Sequence, residues 1–163
     1  MKAKTCCIVA NFNGHGLSRD ALIIETMLLK FGFEVVRKRR RDRQLWSVFR
    51  SSDQYDLVIF LETIYLRWLS AGQKVVLIPN QEWFKPKKLR YLIFVDHIWC
   101  KSEYAATIFK RHAPKNVKVS FMGFTSLEES AVALNEPCSE EKNILRYNRY
   151  LHVAGGSQSK GTS

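Results

Sequence analysis

The sequence predicts an α/β fold, a Rossmann-like open and mostly parallel sheet of about six to seven strands with helices on both faces. Short runs of β-branched and apolar residues alternate along the chain with segments whose apolar residues recur every three or four positions. Strands that alternate with helices in this way form βαβ units, and the strands of such units run parallel. The length of 163 residues suits one domain with a sizeable core, and an apolar content of 46% excludes disordered and collagen-like chains.

Seven apolar segments are predicted to contain strands. The third, Y-D-L-V-I-F-L, is the strongest, and Pro79 ends the fourth because proline has no N–H to donate to a neighbouring strand. In chain order the segments are residues 5–10, 33–37, 55–61, 74–78, 93–100, 117–122 and 150–154.

Helices are predicted between the strands. Ser18 is a suitable N-cap for a first helix that continues to Phe31 and is stopped by Gly32. Ser102 caps a second helix that continues to His112. Shorter helical segments are predicted over 43–50 and 63–71, the latter closed by Gly72, and a short helix or turn over 87–92.

The charge is strongly positive and unevenly distributed. The net charge is +11, and basic residues concentrate at 37–43 and at 85–90. Such patches attract the phosphates of nucleic acids, nucleotides or anionic membranes, or they are simply solvated faces. The members of the first patch that we consider for a membrane surface are Arg37, Lys38, Arg39, Arg40 and Arg41.

The cysteines and the apolar runs indicate that the protein belongs to the cytoplasm. Cys6, Cys7, Cys100 and Cys138 form no C-x-x-C pair and have no histidine at metal-ligand spacing. This argues against a metal site and against a disulfide framework, and for a reducing environment. The sequence has neither an apolar run of about 18 residues nor a signal-peptide pattern, so we expect a cytoplasmic protein.

The loops at the carboxyl ends of the predicted strands are the places to look for a site. The first reads N-G-H-G-L-S-R, in which Gly14 and Gly16 would let a ligand approach the backbone and a helix N-terminus. Arg19 stands where the dinucleotide fingerprint requires a third glycine, so an ordinary tight turn is the alternative. His15 in the same loop is a candidate acid or base.

The loop after the fourth strand combines amides, a carboxylate and an aromatic side chain. Asn80, Gln81 and Trp83 suit a polyhydroxylated ligand, and Glu82 is a candidate general base. The alternative is a capped loop with a core tryptophan. Glu62, at the end of the third strand, and Lys101, after the fifth, are further candidates for ligand contacts.

Five segments together resemble the N-terminal half of a GT-B glycosyltransferase of the retaining, nucleotide-sugar-using group. They span nearly the whole chain, and the last is the most specific. They read N-G-H-G-L-S-R-D-A at 13–21, L-I-P-N-Q-E-W-F at 77–84, C-K-S at 100–102, M-G-F-T-S at 122–126 and L-H-V-A-G-G-S-Q-S-K-G-T at 151–162.

The resemblance implies two domains that face a cleft. Residues 1–145 would bind the acceptor, a glycan or lipid, and residues 146–163 would be a linker with the first strand and loop of a truncated donor-binding domain. A complete site would then need a donor-binding domain supplied as a partner. Gly156 stands where the family often has a basic residue, and the family's paired acidic motif is absent.

The resemblance also assigns roles to individual residues. The donor would be a nucleotide sugar, with no metal required. Lys160 would contact the donor diphosphate, the loop with Gly14 and Gly16 would border the cleft, and Glu82 would lie near the acceptor. Combined with the residue patterns above, this gives Glu82 and His15 as catalytic candidates. The donor-binding candidates are Gly14, Gly16, Ser157, Lys160 and Gly161, and the acceptor-binding candidates are Asn80, Gln81, Trp83, Glu62 and Lys101.

Two other functions fit the same residues. Arginines at the end of the second strand, Arg37 to Arg41, lie where an NADP-binding Rossmann domain would hold the 2′-phosphate. The basic patch with exposed aromatic residues also suits a module that binds nucleic acid or an anionic membrane.

Overall fold

A computed structural model describes residues 3–12, 16–43 and 54–123 of the chain, and these belong to one compact unit, Met1–Ser126. Among the predictions about the fold, the helix over 43–50 beyond residue 43, the seventh strand at 150–154 and the domain boundary near residue 145 lie outside the described residues.

The described residues form one parallel sheet of six strands, in the order β2-β1-β3-β4-β5-β6. The chain adds β2 on one side of β1 and then crosses back to place β3 on the other side. The predicted α/β, Rossmann-like fold is confirmed. The strands are β1 (Lys4–Ala10), β2 (Phe33–Arg39), β3 (Tyr55–Glu62), β4 (Gly72–Pro79), β5 (His97–Cys100) and β6 (Lys118–Phe121).

Successive residues of the central strands enter two separate cores, one on each face of the sheet. In β1, Cys6 and Ile8 pack on one face, while Cys7 and Val9 pack on the other. This period of two follows from the pleat of the strand. Because both faces are covered, these strands read as continuous apolar runs rather than as alternating ones.

Helices cover both faces of the sheet, as predicted, with one α-helix on each face within the described ranges. Helix α1 (Gly16–Lys30) buries Ala21, Ile24 and Leu28 against the first face. Helix α2 (Glu103–His112) buries Ala105 and Phe109 against the second, and the Ser102 hydroxyl caps it by accepting from the amide of Ala105 at 3.1 Å. Two 3₁₀ segments, Leu66–Trp68 and Pro86–Phe94, share that second face.

The ends of α1 differ from the prediction. The helix begins at Gly16 rather than after Ser18, because Leu17 already packs against the core and belongs to its first turn. It ends at Lys30, and Gly32 adopts a φ of 76°, which turns the chain away from the helix axis. Phe31 is therefore 74% exposed, although its spacing from Leu28 predicts a place in the core.

The helix predicted over 63–71 is wrong. Only Leu66–Trp68 forms a single 3₁₀ turn, and Gly72 begins β4 instead of ending a helix. Ile64, Tyr65 and Trp68 are all buried in the second core, and the irregular backbone of this segment serves that packing.

The three described cysteines are buried in the two cores, as predicted for Cys6 and Cys100. Burial raises the pKa of Cys6 and of Cys7 to about 12 and that of Cys100 to about 11. Because the thiolate is the reactive form, these thiols are chemically inert at neutral pH.

Candidate functional site

The strand order reverses between β1 and β3, and parallel sheets bind ligands outside the carboxyl ends of the strands near such a reversal. A cleft of about 770 Å³ lies there. Its walls come from the residue after β2, the segment after β3 and the segment after β4. The lining residues are Arg40, Glu62, Thr63, Ile64, Tyr65, Leu66, Arg67, Trp83, Lys85, Lys87, Lys88, Arg90 and Tyr91.

Glu62 ends β3 in a backbone conformation that glutamate rarely adopts. Its φ is 71°, the only positive φ of a non-glycine residue among residues 3–12, 16–43 and 54–123. The amide of Thr63 donates to the carbonyl of Leu61 at 2.9 Å, so Glu62 is the central residue of a γ-turn. Backbone strain of this kind concentrates at functional sites. Here it turns the chain sharply at the mouth of the cleft.

Tyr65 lines the cleft, and its side chain is almost fully buried. Its ring meets that of Phe60 edge to face, with 5.8 Å between centroids. Burial raises the pKa of Tyr65 to about 12, and the nearby carboxylate of Glu62 adds to the rise. The hydroxyl therefore stays protonated at neutral pH.

The cleft is strongly electropositive. Six basic side chains line it against one carboxylate, that of Glu62. None of the six forms an ion pair with a carboxylate of the described part of the chain, where the pairs are Arg37–Glu25, Lys74–Asp96 and Lys101–Asp20. Burial lowers the pKa of Lys88, and the positive charges of Arg40 and of the neighbouring basic residues lower it further.

The segment Pro86–Phe94 and its N-cap Lys85 place four of these six charges, through the period of three of the segment. In a 3₁₀ helix, residues three apart lie above one another. Leu89 and Leu92 thus share one side, which packs into the second core. A second side carries Lys85, Lys88 and Tyr91, and the third side carries Lys87 and Arg90. All five of these residues line the cleft.

Tyr91 holds two of the cations close together. Its ring centroid lies 5.6 Å from Nζ of Lys88 and 4.8 Å from Cζ of Arg90. A guanidinium N–H of Arg90 donates to the Tyr91 hydroxyl at 2.8 Å, and Nζ of Lys88 donates to the carbonyl of Ile64 at 3.0 Å. The bond to Ile64 fixes the head of Lys88 beside the segment that follows β3, and Tyr91 contacts the head of Arg90.

The loop after β4 contributes one of its predicted residues to the cleft. The Asn80 carbonyl accepts from the amide of Trp83 at 3.2 Å, and its side-chain oxygen accepts from the amide of Glu82 at 3.3 Å. Trp83 lines the cleft and is 50% exposed, so it is not the core residue of the alternative interpretation. Glu82 is exposed and does not line the cleft, and neither do Asn80 and Gln81.

Phe84 anchors this loop and thereby positions Trp83. The Phe84 ring packs edge to face against that of Phe109 in α2, with 5.3 Å between centroids. The aromatic residue next to Trp83 is thus held by the second core while the indole remains accessible in the cleft.

The remaining predicted site residues do not join Glu62 and Trp83. Lys101 forms an ion pair with Asp20 of α1, which packs on the opposite face of the sheet from the 3₁₀ segments. Gly16 is the exposed first residue of α1, and no described atom lies within 4 Å of where a Cβ would stand. Gly14, His15, Ser157, Lys160 and Gly161 lie outside the described residues.

The basic patch predicted at 37–41 is divided by the end of β2. Arg37 forms an ion pair with Glu25 of α1, and Lys38 is half-buried. Arg39 and Arg41 are exposed, and Arg40 alone of the five lines the cleft. The second basic run, at 85–90, supplies four of the six cleft cations. The sequence signal for it was the spacing K-P-K-K-L-R-Y just after a strand end.

The residues that the structure describes contain neither a metal-binding cluster nor a membrane-spanning helix. No group of three or more His, Cys, Asp or Glu side chains there could hold a metal ion. No helix in those ranges has the length and apolarity needed to cross a membrane. Comparisons with protein-family models, with curated proteins and with solved structures found no match to this chain.

Proposed function

We propose that this chain is the acceptor-binding domain of a GT-B glycosyltransferase, which receives a sugar from a nucleotide-sugar donor held by a second domain. The observation that carries the proposal is the meeting of Glu62 and Trp83 in a cleft at the carboxyl ends of β3 and β4. The five sequence segments that resemble the family support it independently.

The chemistry of the cleft suits a saccharide acceptor. A carboxylate accepts hydrogen bonds from vicinal hydroxyls, and the faces of aromatic rings cover the apolar faces of sugar rings. Glu62 provides the carboxylate, and Trp83 and Tyr91 provide the rings. A volume of about 770 Å³ is within the usual range for sites that bind small molecules.

Glu62 replaces Glu82 as the carboxylate that we assign to the acceptor. Glu62 lines the cleft at a fixed backbone turn, whereas Glu82 is exposed at its edge. A group that binds or deprotonates an acceptor hydroxyl must lie within hydrogen-bond reach of it. We therefore assign Glu62 to orient the acceptor hydroxyl for attack on the donor sugar.

Saccharide binding, followed by tryptophan fluorescence, tests this proposal. The ligands are a panel of glucose, galactose, mannose and N-acetylglucosamine, their 1-phosphates, and NADPH. We expect at least one of the monosaccharides or their 1-phosphates to change the fluorescence, and Trp83→Phe to abolish the change. Trp99→Phe is the control, because Trp99 packs on the opposite face.

Two carboxylate variants sharpen the test. Glu62→Gln should weaken saccharide binding about tenfold, the size of one hydrogen bond to a charged group, while Glu82→Gln should leave it unchanged. Saturation by NADPH without any response to a saccharide would contradict the proposal and favour the NADP-binding alternative. A loss with Glu82→Gln and none with Glu62→Gln would contradict our assignment of the carboxylate.

A further inference from the structure

We propose that the cleft contains a phosphate-binding site built on Lys88 and Arg90, so that the acceptor is a phosphorylated saccharide. The saccharide part of this inference rests on the proposed function. The phosphate part rests on the charge and geometry of the cleft alone.

The excess of positive charge in the cleft favours a multivalent anion as its ligand. Six cations face one carboxylate, and none of the six forms an ion pair with a carboxylate in the described ranges. Like charges held close together repel one another, and a bound anion removes that cost. A phosphate monoester carries about −1.5 to −2 charges at neutral pH, more than a single carboxylate.

The side chains at the centre have donors left for such an anion. Lysine has three N–H donors and Lys88 uses one on the carbonyl of Ile64. Arginine has five, and Arg90 uses one on the Tyr91 hydroxyl. Arginine binds phosphate through its planar fork and lysine binds it as a point charge, and this pair combines the two modes.

Tyr91 makes the pair a preformed site. The tyrosine ring lies 5.6 Å from Nζ of Lys88 and 4.8 Å from Cζ of Arg90, so one ring contacts both cationic heads. Burial and the surrounding positive charges lower the pKa of Lys88. A phosphate bound next to Lys88 would offset the repulsion from those positive charges.

The other walls indicate a sugar phosphate rather than a nucleic acid. Glu62 would repel a continuous phosphate backbone, but it accepts hydrogen bonds from hydroxyls. Single-stranded nucleic acids bind in long grooves that follow the backbone. Arg39 and Arg41, which could extend a basic track, do not line this cleft.

Calorimetric titration of the protein with matched ligands tests the inference. Each monosaccharide of the panel is compared with its 1-phosphate, and inorganic pyrophosphate is titrated as the anion alone. We expect the phosphate to tighten binding at least tenfold, the size of one hydrogen bond to a charged group, and added salt to weaken it. Equal affinity for each sugar and its 1-phosphate, together with no binding of pyrophosphate, would overturn the inference.

Three single-charge variants locate the site. Lys88→Gln and Arg90→Gln should each weaken pyrophosphate binding about tenfold or more. Lys115→Gln removes the same charge at an exposed position outside the cleft and should have no such effect. Arg90 is exposed, so Arg90→Gln should fold even if Lys88→Gln does not. An equal loss in Lys115→Gln would overturn the inference, because the effect would then be one of net charge.

Vesicles separate the two sources of a phosphate group. Phosphatidylcholine vesicles with and without phosphatidic acid are sedimented with the wild type and with Arg90→Gln. Binding that needs phosphatidic acid and Arg90 supports the site and indicates a lipid-linked phosphate. Binding of soluble sugar phosphates alone supports it and indicates a soluble acceptor. Preference for an RNA oligonucleotide over pyrophosphate, dependent on Arg39 and Arg41 rather than on Arg90, would overturn it.

The two proposals fail in different ways. If pyrophosphate binds through Lys88 and Arg90 but no saccharide binds better than pyrophosphate, the phosphate site stands and the acceptor function is contradicted. If unphosphorylated sugars bind through Glu62 and Trp83 as tightly as their 1-phosphates, the acceptor function stands and the phosphate site is contradicted.

Discussion

The indole Nε1 of Trp68 donates a hydrogen bond to the backbone carbonyl of Arg40 at 3.3 Å. Arg40 directly follows β2, and Trp68 belongs to the 3₁₀ turn after β3. Because β1 lies between β2 and β3, this bond crosses the carboxyl end of the central strand. It fixes the end of the first basic run beside the cleft, which explains why Arg40 lines the cleft although it is exposed.

Trp68→Phe tests this connection. Phenylalanine retains an aromatic ring but removes the donor, and the buried position loses volume. We expect the free energy of unfolding in urea to fall by about 2 kcal/mol, the hydrogen bond and the lost packing together. Pyrophosphate affinity should fall as well, because Arg40 is no longer held at the cleft. Trp99→Phe, on the opposite face, should leave that affinity unchanged.

A comparison of glycine and alanine at residue 62 measures the strain of the γ-turn. At an ordinary strand position alanine is more stable than glycine, because glycine loses more backbone entropy on folding. At a φ of 71° the order should reverse, with Glu62→Gly more stable than Glu62→Ala by about 1 kcal/mol. Glu34, an exposed residue of β2, is the control. Glu34→Ala should be more stable than Glu34→Gly, and the same order at residue 62 would contradict the strain.

Gly72 is required by close packing at the start of β4. A Cβ there would lie 2.6 Å from Cγ2 of Val58 and 3.1 Å from the Val58 backbone nitrogen. Because Val58 is buried in β3, it has little room to move. We expect Gly72→Ala to lower the free energy of unfolding by about 1–3 kcal/mol, the usual cost of overpacking. Gly16→Ala, in open space at the start of α1, should be neutral or slightly stabilising in the same denaturation experiment.

Asp96 links β4 to the strands that follow it, and its contribution depends on pH. Its carboxylate accepts from Nζ of Lys74 at 2.8 Å and from the amide of Val75 at 2.9 Å. Burial alone would raise the pKa of Asp96, but these hydrogen bonds and the charge of Lys74 outweigh burial and lower it. The stabilisation is therefore fully present above the unfolded-state pKa of about 4 and is lost as pH falls through the lowered folded-state value.

Asp96→Asn checks the sign of this dependence. The variant should be less stable than the wild type by about 1 kcal/mol at neutral pH, the size of one such hydrogen bond. In denaturation experiments at decreasing pH the difference should shrink and then vanish, because protonated aspartate resembles asparagine. Glu34→Gln should show no such trend. A difference that stays constant down to acid pH would contradict the role of the Asp96 charge.

The spacing of apolar residues predicted most of the helices and strands, because burial against the core imposes that spacing on the sequence. The runs that read as strands became β1 to β6 with bounds close to the predicted ones, and Ser102 caps α2 as expected. Local periodicity failed where distant contacts decided the backbone. The segment with Tyr65 and Trp68 is not a regular helix, because both side chains pack into the second core. Residue 72 is a glycine because a Cβ there would collide with Val58 of the neighbouring strand.

The amino-acid sequence by itself determined the class of fold and the sign of the charge. Alternating strand and helix patterns leave few architectures that bury both faces of a parallel sheet, and the excess of Lys and Arg is a matter of composition. The tertiary structure decided which residues meet in the cleft. Strand order brings Arg40 to the segment after β3, and Tyr91 contacts both Lys88 and Arg90, which lie on different sides of the 3₁₀ segment. The physical reason is that these residues become neighbours only after the strands have paired, so no local pattern encodes their proximity.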